Sequence, residues 1–236
     1  MISVSWKLLL YYQKKRKSTA KCAFFYAIQL AITVAEHYLI LMKYLSRLFL
    51  FIYRLSVRLS CKCFSFLISG AFASFGKKTT LMYPLRLSGE RRIAIGDRVF
   101  IGSGSWLQTL PDDHNQSIAI RIGSGTSIAG ACVISAVRSV VLEENVLLAR
   151  NVYISDHIHK YTQANTPILA QGLDKISPVL IKRGAWLGQN VVVCPGVTIG
   201  QGAVIGANAV VTRNIPDFSV AVGVPARGAK TMEVVV

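Results

Sequence analysis

The sequence predicts a mainly β protein: a left-handed parallel β-helix of about five coils, preceded by an apolar, basic α-helical extension. Two observations predict this fold. Beyond residue 86, aliphatic residues recur at every sixth position, often with glycine or another small residue beside them, whereas the first third of the chain is apolar and rich in Lys and Arg. We place the extension at residues 1–85, the β-helix at 86–230 and a short tail at 231–236.

The positive charge of the chain lies mostly in the extension. The net charge is +16, and residues 1–85 carry thirteen Lys and Arg against the single acid Glu36, while residues 86–236 carry fourteen against ten acids. Because the excess falls within an apolar stretch and not on a compact domain, it favours an anionic membrane surface as the partner over nucleic acid.

The extension is expected to form a helix with one basic stripe. When each residue advances about 100° around a helix, four basic residues fall within about 60° of one another, opposite aromatic and aliphatic side chains: Lys43, Arg47, Arg54 and Arg58. Such a helix suits an anionic membrane surface, so we expect residues 1–60 to attach the protein peripherally to the inner face of the cell membrane. The run 22–42 is long enough to span a bilayer but contains Glu36 and His37. A span there and a soluble helical cap stay open as alternatives.

The cysteines and the first residues point to the cytoplasm. The five cysteines show no C-x-x-C spacing, which predicts neither a zinc cluster nor a disulfide framework. The first apolar run is short and is followed by Lys and Arg instead of small residues, so no cleavable secretory signal is recognised. We therefore expect a cytoplasmic protein.

The β-helix is predicted from a sixfold repeat. Its aliphatic positions are Ile95, Ile101, Leu107, Ile122, Ile128, Ile134, Leu142, Leu148, Ile154, Ile181, Leu187, Val193, Ile199, Ile205 and Val211. The residue two positions before most of them is small or β-branched. Alternate side chains of a strand point the same way, so both residues face inward, and three six-residue strands close one triangular coil.

The repeat is interrupted three times. The step from residue 107 to 122 contains a polar excursion, the step from 134 to 142 is two residues too long, and the step from 154 to 181 contains a long loop at 155–178. Interruptions in a solenoid form loops on one face, which is often the functional face.

Several motifs identify a family resemblance. The stretches NVYISDHIH at 151–159, AWLGQNV at 185–191, IGANAVVTRNIP at 205–216 and GVPAR at 223–227 resemble the hexapeptide-repeat acetyltransferases. The chain looks most like the O-acetyltransferases of lipopolysaccharide and capsule biosynthesis, and more distantly like galactoside and maltose acetyltransferases. The resemblance covers about residues 86–230.

The resemblance implies a homotrimer with active sites between neighbouring prisms, acetyl-CoA as co-substrate and no metal. It implies that His157 is the catalytic base. The residues it implies for the cofactor are Trp186, Gln189, Ala207, Thr212, Arg213, Arg227 and Lys230, with Trp186 near the acetyl group. We assign Asp156, His159 and His114 to the acceptor site.

Acetyl transfer to a hydroxyl requires the same types of residue. A sugar hydroxyl is a poor nucleophile, and an imidazole, with an ordinary pKa of about 6.5, suits the removal of its proton. A backbone N–H of a coil turn is expected to hold the developing oxyanion. Cationic side chains beyond the last coils are suited to the phosphates of the cofactor.

The sequence leaves several alternatives open. His159 is a second candidate for the base, His114 a candidate surface residue, and Asp156 either orients a histidine or is an exposed loop acid. The predicted reaction is acetyl transfer to a hydroxyl of a sugar, a lipopolysaccharide or capsular polysaccharide precursor, free or lipid-linked. A non-glycan acceptor, such as an amino acid or xenobiotic, and a noncatalytic membrane-tethered scaffold are the other readings. A zinc lyase is disfavoured, because the histidines are unsuitably spaced for one metal.

Overall fold

The computed structural model describes residues 3–112 and 117–231. His114, assigned above to the acceptor site, and residues 232–236 of the tail lie outside the described residues. The chain divides into two compact units, Met1–Arg58 and Leu59–Val236.

Most of the extension is one continuous helix, α1 (Ser3–Ile68), of 66 residues. No proline or glycine occurs within it, so nothing removes a backbone donor or favours a break. The helix predicted for residues 43–58 is confirmed, and its large apolar side chains are exposed, Phe49 over 69% and Phe51 over 64% of their surface. Among the described residues, no helical segment is long and apolar enough to cross a membrane.

The remaining elements are short strands, which carry the chain around a prism. In order they are β1 (Ser74–Phe75), β2 (Thr80–Leu81), β3 (Arg86–Ser88), β4 (Ile93–Ile95), β5 (Phe100–Ile101), β6 (Trp106–Thr109), β7 (Ile120–Ile122), β8 (Ser127–Ile128), β9 (Val133–Ala136), β10 (Val140–Leu142), β11 (Leu147–Leu148), β12 (Tyr153–Ser155), β13 (Ile158–His159), β14 (Leu173–Asp174), β15 (Val179–Ile181), β16 (Trp186–Leu187), β17 (Val192–Val193), β18 (Thr198–Ile199), β19 (Val204–Ile205), β20 (Val210–Val211), β21 (Ser219–Val222) and β22 (Arg227–Thr231). Short 3₁₀ turns lie at Ser69–Ala71, Glu90–Arg92 and Ile168–Gln171.

These strands form the three parallel faces of a left-handed β-helix, as predicted. Face 1 has the order β1-β4-β7-β10-β15-β18, face 2 has β2-β5-β8-β11-β16-β19, and face 3 has β3-β6-β9-β12-β17-β20. Strand β21 extends face 2, and β22 pairs with it antiparallel. Each face therefore has six coil strands, one more than the five coils predicted.

The additional coil lies at residues 74–88, most of which were assigned to the helical extension. Phe75, Leu81 and Leu87 are six residues apart, but the step from Leu87 to Ile95 is eight residues, so this series is out of register with the repeat that follows. The last turns of α1 close this end of the prism. Phe64 and Ile68 pack against its core, and the Ser65 hydroxyl accepts the N–H of Leu81 at 2.8 Å.

The predicted core is confirmed. All fifteen aliphatic positions of the repeat expose 2% or less of their surface. Burial of one Leu or Ile side chain stabilises a fold by about 1.5 to 3 kcal/mol. Among their small partners, Ser105 and Thr126 are fully buried, and each hydroxyl donates to a backbone carbonyl. The interior is thus apolar, and these two buried hydroxyl groups each have a hydrogen-bond partner.

The glycines that directly follow the repeat aliphatics allow the coils to stack closely. Gly200 is needed because coils approach closely there: a Cβ at this position would lie 2.3 Å from the backbone nitrogen of Asp217. Positive φ occurs at other corner positions, at glycines such as Gly196 with 78° and at asparagines, with 60° at Asn151, 59° at Asn190 and 61° at Asn208. The side-chain amides of these asparagines form a ladder, Asn151 donating to Asn190 at 3.2 Å and Asn190 to Asn208 at 2.9 Å.

Candidate active site

His157 follows β12 at the start of the long loop. Its side chain is 8% exposed, and its Nδ1 lies 2.8 Å from Oδ1 of Asp156 and 3.2 Å from Oγ of Ser155. An ionised carboxylate only accepts hydrogen bonds, so Nδ1 carries the proton. The other ring nitrogen, Nε2, is then left as an acceptor.

Asp156 orients the ring of His157 through this hydrogen bond. It is fully buried, so the expectation of an exposed loop acid is wrong. Its Oδ1 accepts the N–H of Val137 at 2.9 Å, and its Oδ2 accepts those of Arg138 at 2.7 Å and Ser139 at 2.8 Å. Burial would raise the pKa of this carboxyl, but the hydrogen bonds from His157 and from the three backbone N–H groups outweigh it, and the pKa lies below its ordinary value. The carboxylate is thus held in its charged form.

The three N–H groups come from an interruption seen in the sequence. The step from Ile134 to Leu142 is two residues too long, and the extra length forms a turn at 137–139 between β9 and β10. Successive N–H groups that converge in this way make an anion-binding concavity. The second interruption of the repeat therefore has a structural use: it holds Asp156.

A cavity of about 330 Å³ opens beside His157. It is lined by Tyr153, Ser155, His157, Ile158, His159, Val192, Val193, Cys194 and Pro195. The exposed His159 lies on β13, which pairs antiparallel with β14 inside the long loop. Burial raises the pKa of the Cys194 thiol, which disfavours the thiolate that a nucleophile requires. The histidines are therefore the two candidate bases at this cavity.

Three predicted cofactor residues share a second cavity. Arg213, Arg227 and Lys230 line a space of about 420 Å³ between the last coil and β22. None of the described residues that line it is acidic. Arg227 donates from Nη1 to the carbonyl of Ala226 at 3.0 Å, which anchors its side chain. This cavity therefore concentrates positive charge beyond the last coils, as expected for phosphate binding.

The other predicted cofactor residues lie elsewhere. Trp186 is on β16 in face 2 and is 47% exposed. Gln189 and Ala207 are exposed at stacked corners, where the Gln189 carbonyl accepts the N–H of Asn208 at 2.8 Å. Exposed Thr212 precedes Arg213. None of these four residues lines the cavity of His157. Within residues 3–112 and 117–231, no three His, Cys, Asp or Glu side chains are grouped as metal ligands.

The sequence did not point to all residues that shape the site. It gave no reason to single out Ser155, whose hydroxyl contacts His157, or Arg92, whose guanidinium donates to the carbonyl of Val137 at 2.8 Å. The only available signal was the long step at 134–142. As a whole, the arrangement presents an oriented imidazole to a cavity and can accept a proton from a bound hydroxyl.

Comparison with known proteins agrees with the fold. The family model described as bacterial transferase hexapeptide (six repeats) matches residues 178–213. The galactoside O-acetyltransferase of Escherichia coli K12 is 32% identical over 157 residues, 63% of this chain and 74% of that protein. WbbJ of the same organism, whose name assigns it to O-acetyl transfer in lipopolysaccharide biosynthesis, is 38% identical over 40% of this chain and 51% of its own length.

A solved structure shows the same fold. AntD, an N-acyltransferase from Bacillus cereus solved with dTDP and 3-hydroxybutyryl-CoA, superposes with a TM-score of 0.61 at 21% identity, over 71% of this chain and 87% of AntD. The first curated relatives are matched over only about half of their own length. With its repeat, its prism and its similarity to the galactoside enzyme, the chain belongs to the hexapeptide-repeat acetyltransferase family.

Proposed function

We propose that the protein is an acetyl-CoA-dependent O-acetyltransferase that acts on a sugar hydroxyl. The observation that carries this proposal is the pairing of His157 Nδ1 with the buried Asp156 at 2.8 Å, because it leaves Nε2 as an oriented acceptor beside the cavity. A buried carboxylate costs several kcal/mol unless it is well paired. A noncatalytic scaffold could use the three backbone bonds of Asp156 for stability, but it would not need a histidine paired with that carboxylate beside a cavity.

The reaction needs no covalent enzyme intermediate. Nε2 of His157 accepts the proton of the acceptor hydroxyl while the hydroxyl oxygen forms a bond to the carbonyl carbon of the thioester. The carbon–sulfur bond then breaks, the sulfur leaves as thiolate, and the proton on Nε2 passes to it. Asp156 stabilises the positive charge that the ring carries between these two steps.

The cofactor is proposed from the chemistry of the second cavity. Coenzyme A is a phosphorylated anion, and Arg213, Arg227 and Lys230 line one space in which no described residue is acidic. When bound, acetyl-CoA supplies the activated acetyl group. The three cationic side chains therefore suit the phosphates of acetyl-CoA. AntD, which has the same fold, was solved with a CoA thioester.

A hydroxyl acceptor is favoured over an amine. An amine is already a nucleophile when it is neutral, whereas a hydroxyl needs a base as it attacks. The oriented His157 supplies that base. The names of two relatives, the galactoside O-acetyltransferase and WbbJ, support a sugar and, more specifically, a lipopolysaccharide or capsular precursor.

The functional assembly is proposed to be a homotrimer. Outward-facing Leu147 on β11 lies directly beside Trp186 on β16, and these side chains are 45% and 47% exposed. Large neighbouring apolar side chains on a flat face favour contact with a second copy. Such contact would also bring Trp186 and Gln189 to the active-site cavity of a neighbour.

The helix α1 is proposed to bind the inner face of the cell membrane. Lys43, Arg47, Arg54 and Arg58 are all exposed, and so are the aromatic side chains Phe49, Phe51 and Tyr53 of the same segment. A helix with a basic stripe and a wide apolar surface is suited to anionic lipid. Peripheral attachment of a cytoplasmic enzyme would place it near a lipid-linked acceptor.

The proposal is tested by measuring thiol release from acetyl-CoA. We expect release to depend on the addition of a sugar acceptor and the product to carry an O-acetyl ester by mass spectrometry. The panel should contain free sugars, lipid-linked sugars, amino sugars and amino acids. Acetylation of amines alone, or no transfer to any member of the panel, would contradict the proposal.

A further inference from the structure

Arg92 joins three separate segments of the β-helix through one side chain. It ends the 3₁₀ turn Glu90–Arg92 that precedes β4. Its guanidinium donates from Nη1 to the carbonyl of Leu110 at 2.7 Å, from Nε to that of Ser117 at 2.9 Å and from Nη2 to that of Val137 at 2.8 Å. A guanidinium is suited to this task, because it has five donors in a rigid plane.

The third of these bonds reaches the turn at 137–139 that holds Asp156. The carbonyl of Val137 and the N–H of Arg138 belong to the same peptide group. Arg92 binds the carbonyl, and the N–H donates to Oδ2 of Asp156 at 2.7 Å. A cation at the carbonyl polarises the peptide, and cooperative polarisation strengthens the N–H as a donor.

We propose that Arg92 is a positioning residue for the base, acting on His157 through the Val137–Arg138 peptide and Asp156. This inference rests on the proposed function, since it assigns a role to the support of the same histidine. Arg92 does not line the cavity of His157, so no direct contact with a substrate is required. Its position explains how a turn formed by a register break is fixed firmly enough to orient a carboxylate.

The first test compares three single variants. In Arg92→Met, kcat should fall at least about tenfold while KM for acetyl-CoA stays within about twofold, because a misplaced base affects turnover more than cofactor binding. Arg92→Lys keeps the charge with a single nitrogen and should show an intermediate loss. Arg91→Met, at the exposed neighbouring position, is the matched control and should keep the wild-type kcat.

A double-mutant cycle separates this role from a purely structural one. If Arg92 acts through Asp156, then adding Arg92→Met to Asp156→Asn should lower kcat by less than about twofold further, since the support is already lost. An equal loss in both backgrounds would show that Arg92 only fastens the segments together. Wild-type turnover in both Arg92→Met and Arg92→Lys would also overturn the inference.

A spectroscopic measurement keeps the inference testable without activity. In nitrogen-15 histidine-labelled protein, the Nδ1 proton of His157, bonded to a carboxylate, should give a downfield signal. We expect Arg92→Met to remove or shift that signal and Arg91→Met to retain it. If Arg92→Met does not fold, the signal of Arg92→Lys is compared with that of Arg91→Met instead. An unchanged signal in a folded Arg92 variant would refute the inference, whereas a wild-type protein that has the signal but transfers no acetyl would refute only the proposed function.

Discussion

His157 depends for its orientation on a carboxylate that is itself held by the backbone. Asp156 accepts three N–H groups from one turn and the Nδ1 proton of the histidine. A ring fixed in this way loses little freedom when a hydroxyl binds, so the geometry for proton transfer is present before the substrate arrives.

The first prediction distinguishes the two histidines at the cavity. His157→Ala should lower kcat at least about a hundredfold, the usual scale for a general base, while leaving CoA binding and assembly intact. His159→Ala serves as the matched control and should keep most of the activity, because its side chain is exposed and no bond to Asp156 orients it. Steady-state thiol release measures both. The opposite ranking would assign the base to His159.

The second prediction concerns stability and pH. Asp156 has a folded-state pKa below its ordinary value, so its ionisation stabilises the fold above about pH 4, the unfolded pKa, and this stabilisation is lost as the pH falls through the folded pKa. Asp156→Asn should therefore lower the free energy of unfolding by about 2 to 4 kcal/mol at pH 7. The difference from wild type should shrink in acid.

Denaturant unfolding of the β-helix unit at several pH values measures this difference. The control is Asp217→Asn. The pKa of Asp217 is also lowered, first by the backbone N–H of Gln201 and then by Lys182, but this carboxyl is exposed to solvent, so its contribution is screened. A pH-independent difference for Asp156→Asn would contradict the assignment of a buried, charged carboxylate.

At the scale of elements, coil stacking depends on close approach as well as on the apolar core. Gly200→Ala would place a Cβ 2.3 Å from the backbone nitrogen of Asp217, so the backbone must shift, and we expect a loss of about 1 to 3 kcal/mol in the free energy of unfolding. Gly228→Ala is the matched control, because no atom lies within 4 Å of its Cβ position. Thermal and denaturant unfolding compare the two. Equal stability would show that the coils can move apart without cost.

The helix α1 provides a prediction about lipid binding. Replacing Lys43, Arg47, Arg54 and Arg58 together by Gln should weaken co-sedimentation with vesicles containing anionic lipid at least about tenfold, since each basic residue near such a surface contributes about 1 kcal/mol. Binding of the wild type should also weaken as salt is raised.

The matched control removes the same charge from the β-helix unit, at the exposed positions Arg121, Arg150, Lys175 and Arg183. This variant should bind the vesicles as the wild type does. If both variants bind equally well, or if binding is insensitive to salt, electrostatic attachment through α1 is wrong.

At the scale of the whole molecule, the prism was predictable because its pattern is carried by side chains. The repeat aliphatics are all buried as expected, and the motif at 151–159 singled out His157 as a candidate. The first coil was missed because the step from Leu87 to Ile95 is eight residues, which breaks the sixfold spacing. The turn at 137–139 and the role of Arg92 were not predictable, because there the interactions use backbone N–H and carbonyl groups, which almost any residue supplies.

The proposed homotrimer gives the last prediction. In detergent, light scattering should report three times the mass of one chain, and Leu147→Asp should yield monomers by placing a charge within the proposed contact. The monomer should retain its β-sheet circular dichroism, since Leu147 faces outward at 45% exposure. A monomeric wild type, or a trimer unaffected by Leu147→Asp, would contradict assembly through face 2.

The closure of the prism by the end of α1 affects how copies of the protein meet one another. Strands β1, β2 and β3 are terminal, so each has an edge with no coil below it. An uncovered edge of a parallel sheet can pair with a strand of another molecule. Because Ser65 already bonds the Leu81 N–H and Phe64 and Ile68 pack against the core, we expect these turns to make β2 less available for end-to-end pairing with another molecule.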